Sequence, residues 1–160
     1  MIRFIFPFVF IVFFLFCTNH SSSPSIQIPP LLVTAVNNQN STFTLTVRAT
    51  NPELIFQGYR LFVGQTENDA RNSGDLNAGT DCSMGAGTMT VLPVQPTVYT
   101  FLIDPSESLP VLGSGIACKF RILVSSGSYI SVRSLGLSIQ TQNSSSTLRV
   151  SGPSNAILLP

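Results

Sequence analysis

The chain predicts an all-β sandwich of about seven strands behind an N-terminal signal helix and tether, and three observations predict it. Apolar and polar residues alternate with a period of two in several short segments, as Phe43, Leu45 and Val47 do against Thr44, Thr46 and Arg48. Clusters of Asn, Ser, Gly and Pro punctuate those segments where turns are needed. Beyond the first 25 residues there is no sustained 3.6-residue apolar period. The remaining stretch is long enough to build one domain with its own core.

The elements follow in order. Residues 1–16 open with Arg3 and continue as an unbroken apolar run from Phe4 to Phe16, which ends at Cys17. A helical membrane span needs about 20 apolar residues, and this run is shorter, so it fits the apolar core of a signal peptide. An ordinary cleaved signal and an uncleaved anchor are the competing readings. A basic start, a short apolar core and then cysteine resembles a bacterial lipoprotein signal. Phe14-Leu15-Phe16 before Cys17 and the Ser/Asn-rich string after it resemble the looser spirochaetal, leptospiral type. Phe16 stands where most such signals carry a small residue. The resemblance implies cleavage before Cys17, a lipidated Cys17 anchored in a membrane, and residues 17–25 as a flexible tether.

Strands are expected from residue 26 to 140. Leu31 to Val36 is the first, after Pro29-Pro30 and before the turn-forming Asn37-Asn38-Gln39-Asn40. Phe43 to Val47 is the second, ended by Asn51-Pro52. Tyr59 to Val63 is the third, closed by Gly64. Residues 65–90 are polar and Gly-rich and read as a long connection, with one short strand near Thr88 to Leu92. Val98 to Ile103 is the next strand, followed by an Asp104-Pro105 turn. Cys118 to Val124 alternates most clearly of all, and Ser125-Ser126-Gly127-Ser128 should form a hairpin into Tyr129 to Ile139. Residues 141–160 read as a polar turn, an edge segment around Leu148 and Val150, and a tail.

The pattern from about residue 27 to 140 resembles an immunoglobulin-like fibronectin type III domain. Pro29-Pro30, the run Phe43 to Val47 with Gly58-Tyr59-Arg60-Leu61-Phe62-Val63, and Cys118 to Val124 with its Ser/Gly turn carry the resemblance. The chain lacks the Trp usual on the second strand, and Cys118 stands where a Tyr is usual. The resemblance implies adhesion or a scaffold role and brings no catalytic residues with it.

Composition narrows the chemistry. Without residues 1–16 the chain has seven basic residues (Arg48, Arg60, Arg71, Lys119, Arg121, Arg133, Arg149) and seven acidic ones. A net charge near zero supplies no basic footprint for nucleic acid. The single His, His20, lies in the tether, so no Ser-His-Asp arrangement can form within the domain. The Gly79 to Gly87 stretch lacks the Lys-Ser/Thr ending of a phosphate loop, and no cofactor motif appears. If Cys17 carries lipid, Cys82 and Cys118 remain as an even pair in an oxidising compartment. A bridge between them is worth about 4 kcal/mol in the chain-entropy model. Two unpaired thiols are the alternative.

Two candidate sites emerge. Asp75, Asn77 and Asp81 place oxygen side chains at alternate positions, as calcium loops do, without the usual Gly at the sixth or Glu at the twelfth position. A solvated polar loop explains the same residues. If the third, sixth and seventh strands share a sheet, Arg60, Lys119, Arg121 and Arg133 point outward together, interleaved with Phe62 and Leu123. Such a face would suit an anionic glycan or an acidic host or envelope protein. The expectation is therefore a non-enzymatic, lipid-anchored module of the bacterial outer membrane or cell surface, with the periplasmic face as the other location. The alternatives are a structural component of an envelope assembly and a calcium-binding exported domain.

Overall fold

The computed structural model describes residues 29–50, 56–83, 97–111, 113–140 and 145–160. The signal, Cys17 and tether, and the strand expected at 88–92, lie outside the described residues. The described residues are all-β apart from one short helix. In order the elements are β1 (Leu31–Asn37), β2 (Phe43–Ala49), β3 (Phe56–Gly64), α1 (Glu67–Arg71), β4 (Thr80–Ser83), β5 (Thr97–Ile103), β6 (Ile116–Phe120), β7 (Tyr129–Gln140), β8 (Ser145–Val150) and β9 (Ile157–Leu158). They form one curled mixed sheet in the order β1-β2-β5-β6-β4-β3-β7-β8, with β9 also on β7. Every pairing is antiparallel except β5 with β6.

The alternation read from the sequence is what fills the core. Phe43, Leu45 and Val47 of β2, Tyr99, Phe101 and Ile103 of β5, and Ile130 and Val132 of β7 all face one buried cluster. Aromatic rings tie the far sides of the curl together. Tyr59 of β3 lies 4.9 Å from Phe101, and Phe101 lies 5.9 Å from Phe120 of β6, both in the range where ring pairs add to simple burial.

Three expectations are corrected. First, β6 does not form a hairpin with β7. It ends at Phe120 and pairs with β5 and β4, so it does not share a ladder with β3 and β7. The alternation continued through Ile122 and Val124 because both pack against the core after the backbone has left the ladder. Second, the 65–90 connection contains α1. Five residues are too few to show a helical period, and the legible signal was a capping box. Thr66 accepts from the Asp69 backbone, and the Asp69 carboxylate accepts from the Thr66 backbone. A Cβ on Gly64 would sit 2.5 Å from the Ala70 nitrogen, so that glycine lets the helix lie against β3.

Third, the C-terminal tail belongs to the sheet. After β8 the chain continues along β7 in spite of Pro153, which has no N–H to give. Serine side chains fill the gaps: Ser151 Oγ accepts the Ser134 N–H and Ser154 Oγ accepts the Val132 N–H, each at 2.9 Å. β9 then resumes the ladder against Tyr129 and Ile130, and Leu159 is buried in the core. On its other flank the same segment meets β1. The Asn155 amide accepts from Leu32 N and donates to Leu32 O, both at 2.9 Å, standing in for a neighbouring strand. Asn37 donates to the Pro160 carbonyl at 3.1 Å, so the two segments run in the same direction.

Asn155→Ala leaves both polar groups of Leu32 without their partner. We expect a loss of about 2–3 kcal/mol, read as a lower urea midpoint at unchanged slope. Asn155→Asp, which sets a carboxylate oxygen against the Leu32 carbonyl, should lose at least as much at neutral pH.

Candidate functional site

The five residues expected to form an outward basic face do not form one. Arg60, Phe62, Lys119 and Arg133 are buried, Lys119 to 1 % exposure, and of the four cations Arg121 alone is exposed. They do point away from the core, but other chain covers them. Residues 65–79 with α1 lie over β3 and β7, and the turn after β5 lies over β6.

Each buried cation has its own set of acceptors. Arg60 holds Asp81 in a two-pronged contact, Nε to Oδ1 and Nη2 to Oδ2, and Nη1 donates to the Leu76 carbonyl at 2.7 Å. The bond to Asp81 raises the guanidinium pKa above its ordinary value against the opposing effect of burial. Gly79 permits the fit, because a Cβ there would lie 2.5 Å from Arg60 Cγ. Arg133 stands directly opposite Arg60 in the β3–β7 ladder, a placement that costs energy when both charges face each other. It turns away instead. Its guanidinium lies 5.2 Å over the Phe62 ring and donates to the carbonyls of Arg71 and Ser151. Burial lowers its pKa.

Lys119 is the most enclosed charge. Its Nζ lies 2.8 Å from Asp104 Oδ2, 2.8 Å from Ser106 Oγ and 2.6 Å from the Ser108 carbonyl. Asp104 also accepts from the Ser106 backbone and hydroxyl. These bonds, led by the one from Lys119, hold the Asp104 carboxyl down at about 2. A carboxylate that reluctant to take a proton is a poor general base for the adjacent Ser106, and the cluster reads as a charge clamp under a turn. The sequence marks Asp104-Pro105 as a turn and does not show the clamp. The available signal was the Asp104-Pro105-Ser106 spacing, in which an aspartate accepts the N–H two residues on. Arg121 pairs with Glu107 at 2.5 Å on the surface.

The calcium-loop reading is also corrected. Asp75 accepts the Asn77 N–H at 2.8 Å in a turn of its own, and Asp81 is engaged by Arg60. Arg60 supplies the positive charge beside Asp81. Among the described residues no three His, Cys, Asp or Glu side chains gather as metal ligands.

Cys82 of β4 and Cys118 of β6 lie at disulfide distance, their Cα atoms 5.6 Å apart as a bridge requires. The pair joins neighbouring strands. Beside it, where β4 leaves β3 to join β6, a cavity of about 230 Å³ opens. Asp81, Cys82, Leu135, Leu148 and the Gln57-Gly58 backbone line it. The β3 ladder bulges there, and Gly58 adopts φ 147°, a backbone setting that favours glycine. A glycine inside an alternating strand is the signal that marks such a bulge.

Fold and site define an all-β protein with a curled mixed sheet, one cysteine pair at bonding distance and buried cation clamps. No family model, curated protein or solved structure matches the chain significantly. Among the described residues no helix is long and apolar enough to cross a membrane.

Two outcomes follow from these clamps. The Asp104 pKa is lower folded than its ordinary 3.8, so its stabilisation is complete above pH 4 and disappears as the pH falls to about 2. After allowance for solvent screening we expect about 1–2 kcal/mol over that window. Asp104→Asn should flatten the stability profile between pH 4 and 2 and lower stability at neutral pH, because it leaves Lys119 buried without its counter-charge. Replacing Cys82 and Cys118 together by Ala should cost about 2–4 kcal/mol in urea unfolding under non-reducing conditions. No difference from the parent would show that the bridge does not form.

Proposed function

We propose that the chain is a lipid-anchored protein of the bacterial envelope that presents an immunoglobulin-like β-sandwich to a protein or glycan partner without catalysing a reaction. The observation that carries this reading is the cysteine arrangement. Cys82 and Cys118 sit at bonding distance, as suits an oxidising compartment, which leaves Cys17 as the third cysteine directly after a signal-like apolar run. The strand neighbours support the sandwich. In this reading β1-β2-β5-β6 and β3-β7 with β8 and β9 are two facing sheets, and β7 takes the place expected of the sixth strand of a fibronectin type III domain.

The binding surface differs from the one expected from sequence. With Arg60, Lys119 and Arg133 buried, an anionic glycan loses its recognition face, and a protein partner becomes the better match. Val98, Val111 and Leu123 are each more than 60 % exposed. That apolar exposure favours a second reading as well, a structural component whose surface is covered inside an envelope assembly.

The anchor is tested by mass spectrometry of the mature protein from its native membrane. The expected N-terminus is Cys17 carrying a diacylglyceryl group, and Cys17→Ala should abolish partition into the detergent phase. An N-terminus at any other residue overturns the lipid anchor. Protease treatment of intact cells separates the two readings, because a surface module is shaved off and a component of an internal assembly is retained.

A further inference from the structure

We propose that the outer face of β1, β2 and β5, at the end where β1 starts, rests on an anionic lipid bilayer. The inference deepens the anchored-module reading and rests on it, because the anchor brings this face to the membrane. Strand register gathers the residues. Leu31, Arg48 and Val98 pair in one row across the three strands and all are exposed, while the next row, Leu32, Val47 and Tyr99, turns into the core. A bulge between Leu32 and Thr34 leaves Val33 without a partner on β2 and keeps two successive residues, Val33 and Thr34, on the exposed side. Ile116 of β6 pairs with Thr100, two residues along β5 from Val98. The turn just before Ile116, closed by the Ser114 N–H on the Val111 carbonyl at 3.0 Å, carries Val111 at 75 % exposure.

Reach, charge and composition name the occupant. Pro29 stands twelve residues after Cys17. A chain spans at most about 3.3–3.6 Å per residue, so lipid on Cys17 holds the start of β1 within roughly 40 Å of the bilayer. Arg48 is the one charged residue of β1, β2 and β5, and among the described residues no carboxylate pairs with it. An isologous contact with a second copy would present the same face, which has no acid to receive Arg48. Anionic headgroups supply that charge. Exposed aliphatic side chains around a cation suit an interface where apolar groups enter the acyl boundary and the charge stays among headgroups. Membrane attachment also strengthens when a lipid chain is joined by a second signal. The assignment gives Val98 and Val111 to lipid and leaves Leu123, which follows the far end of β6, for protein contact.

The test uses the mature protein purified from its membrane and reconstituted in nanodiscs of phosphatidylcholine and phosphatidylglycerol. Some headgroups carry a gadolinium chelate, and leucine and valine methyls are observed by NMR. We expect the methyls of Leu31, Val33, Val98 and Val111 to broaden in preference to those of Leu123 and Leu158, which lie towards the other end of the strands. Arg48→Gln should lower the docked-to-undocked ratio about fivefold, the effect of one basic residue at an anionic surface, and phosphatidylcholine alone should do the same. Val33→Ser combined with Val98→Ser should lower it about tenfold, and both positions are exposed, so the fold is kept. Leu123→Ser should leave it unchanged. Equal broadening at both ends, broadening centred on Leu123 and Leu158, or a preference that survives both variants overturns the assignment. A dimer that covers the same face without lipid overturns it in favour of self-association. If Cys17 carries no lipid, the anchor fails, yet the same methyls should still broaden when unanchored protein is titrated with vesicles of that composition, so the two failures are distinguishable.

Discussion

Four residues of β4 carry the connection on which the rest of the sheet depends. Thr80 and Asp81 pair with β3, and Cys82 and Ser83 pair with β6. Among the described strands this is the only backbone link between β6 and β3. So short a ladder has few hydrogen bonds, and side chains reinforce it on both flanks. The two-pronged Arg60–Asp81 contact fastens β4 to β3, and the Cys82–Cys118 pair fastens it to β6. The curl that encloses Tyr59, Phe101 and Phe120 in one cluster follows from that join.

The opposite seam is closed by a different device. Between β1 and β7 the returning chain is interrupted at Pro153 and pairs regularly with β7 only over the short β9. Hydroxyls of Ser151 and Ser154 and the amide of Asn155 supply the missing donors and acceptors. Small polar side chains do this well because they reach backbone groups at close range and lose little entropy on ordering. The abundance of Ser and Asn in the chain is therefore partly structural.

The buried cations explain why charge pattern misled. Arg60, Lys119 and Arg133 occupy outward positions on their strands, as alternation requires, and yet are buried. A second layer of chain covers them. Each then found local acceptors: a carboxylate with a carbonyl, a carboxylate with serine oxygens, or carbonyls with an aromatic face. Burying a charge is tolerated only with such partners, so these side chains now fix the covering segments in place and are spent as recognition groups.

The sequence by itself determined the all-β class, the limits of β1, β2, β5 and β7 to within a residue or two and the core residues of β2, and it offered Cys82 and Cys118 as a candidate pair. Period-two alternation and turn chemistry are local signals, and these elements obey local rules. Tertiary structure alone decided that β6 runs parallel to β5, that β4 changes partners midway and that residues 151–159 complete the sheet. It also decided that a cavity opens where β3 and β4 part. Those features depend on which segments meet across long separations, and a period of two says which face a residue takes without saying what will cover it.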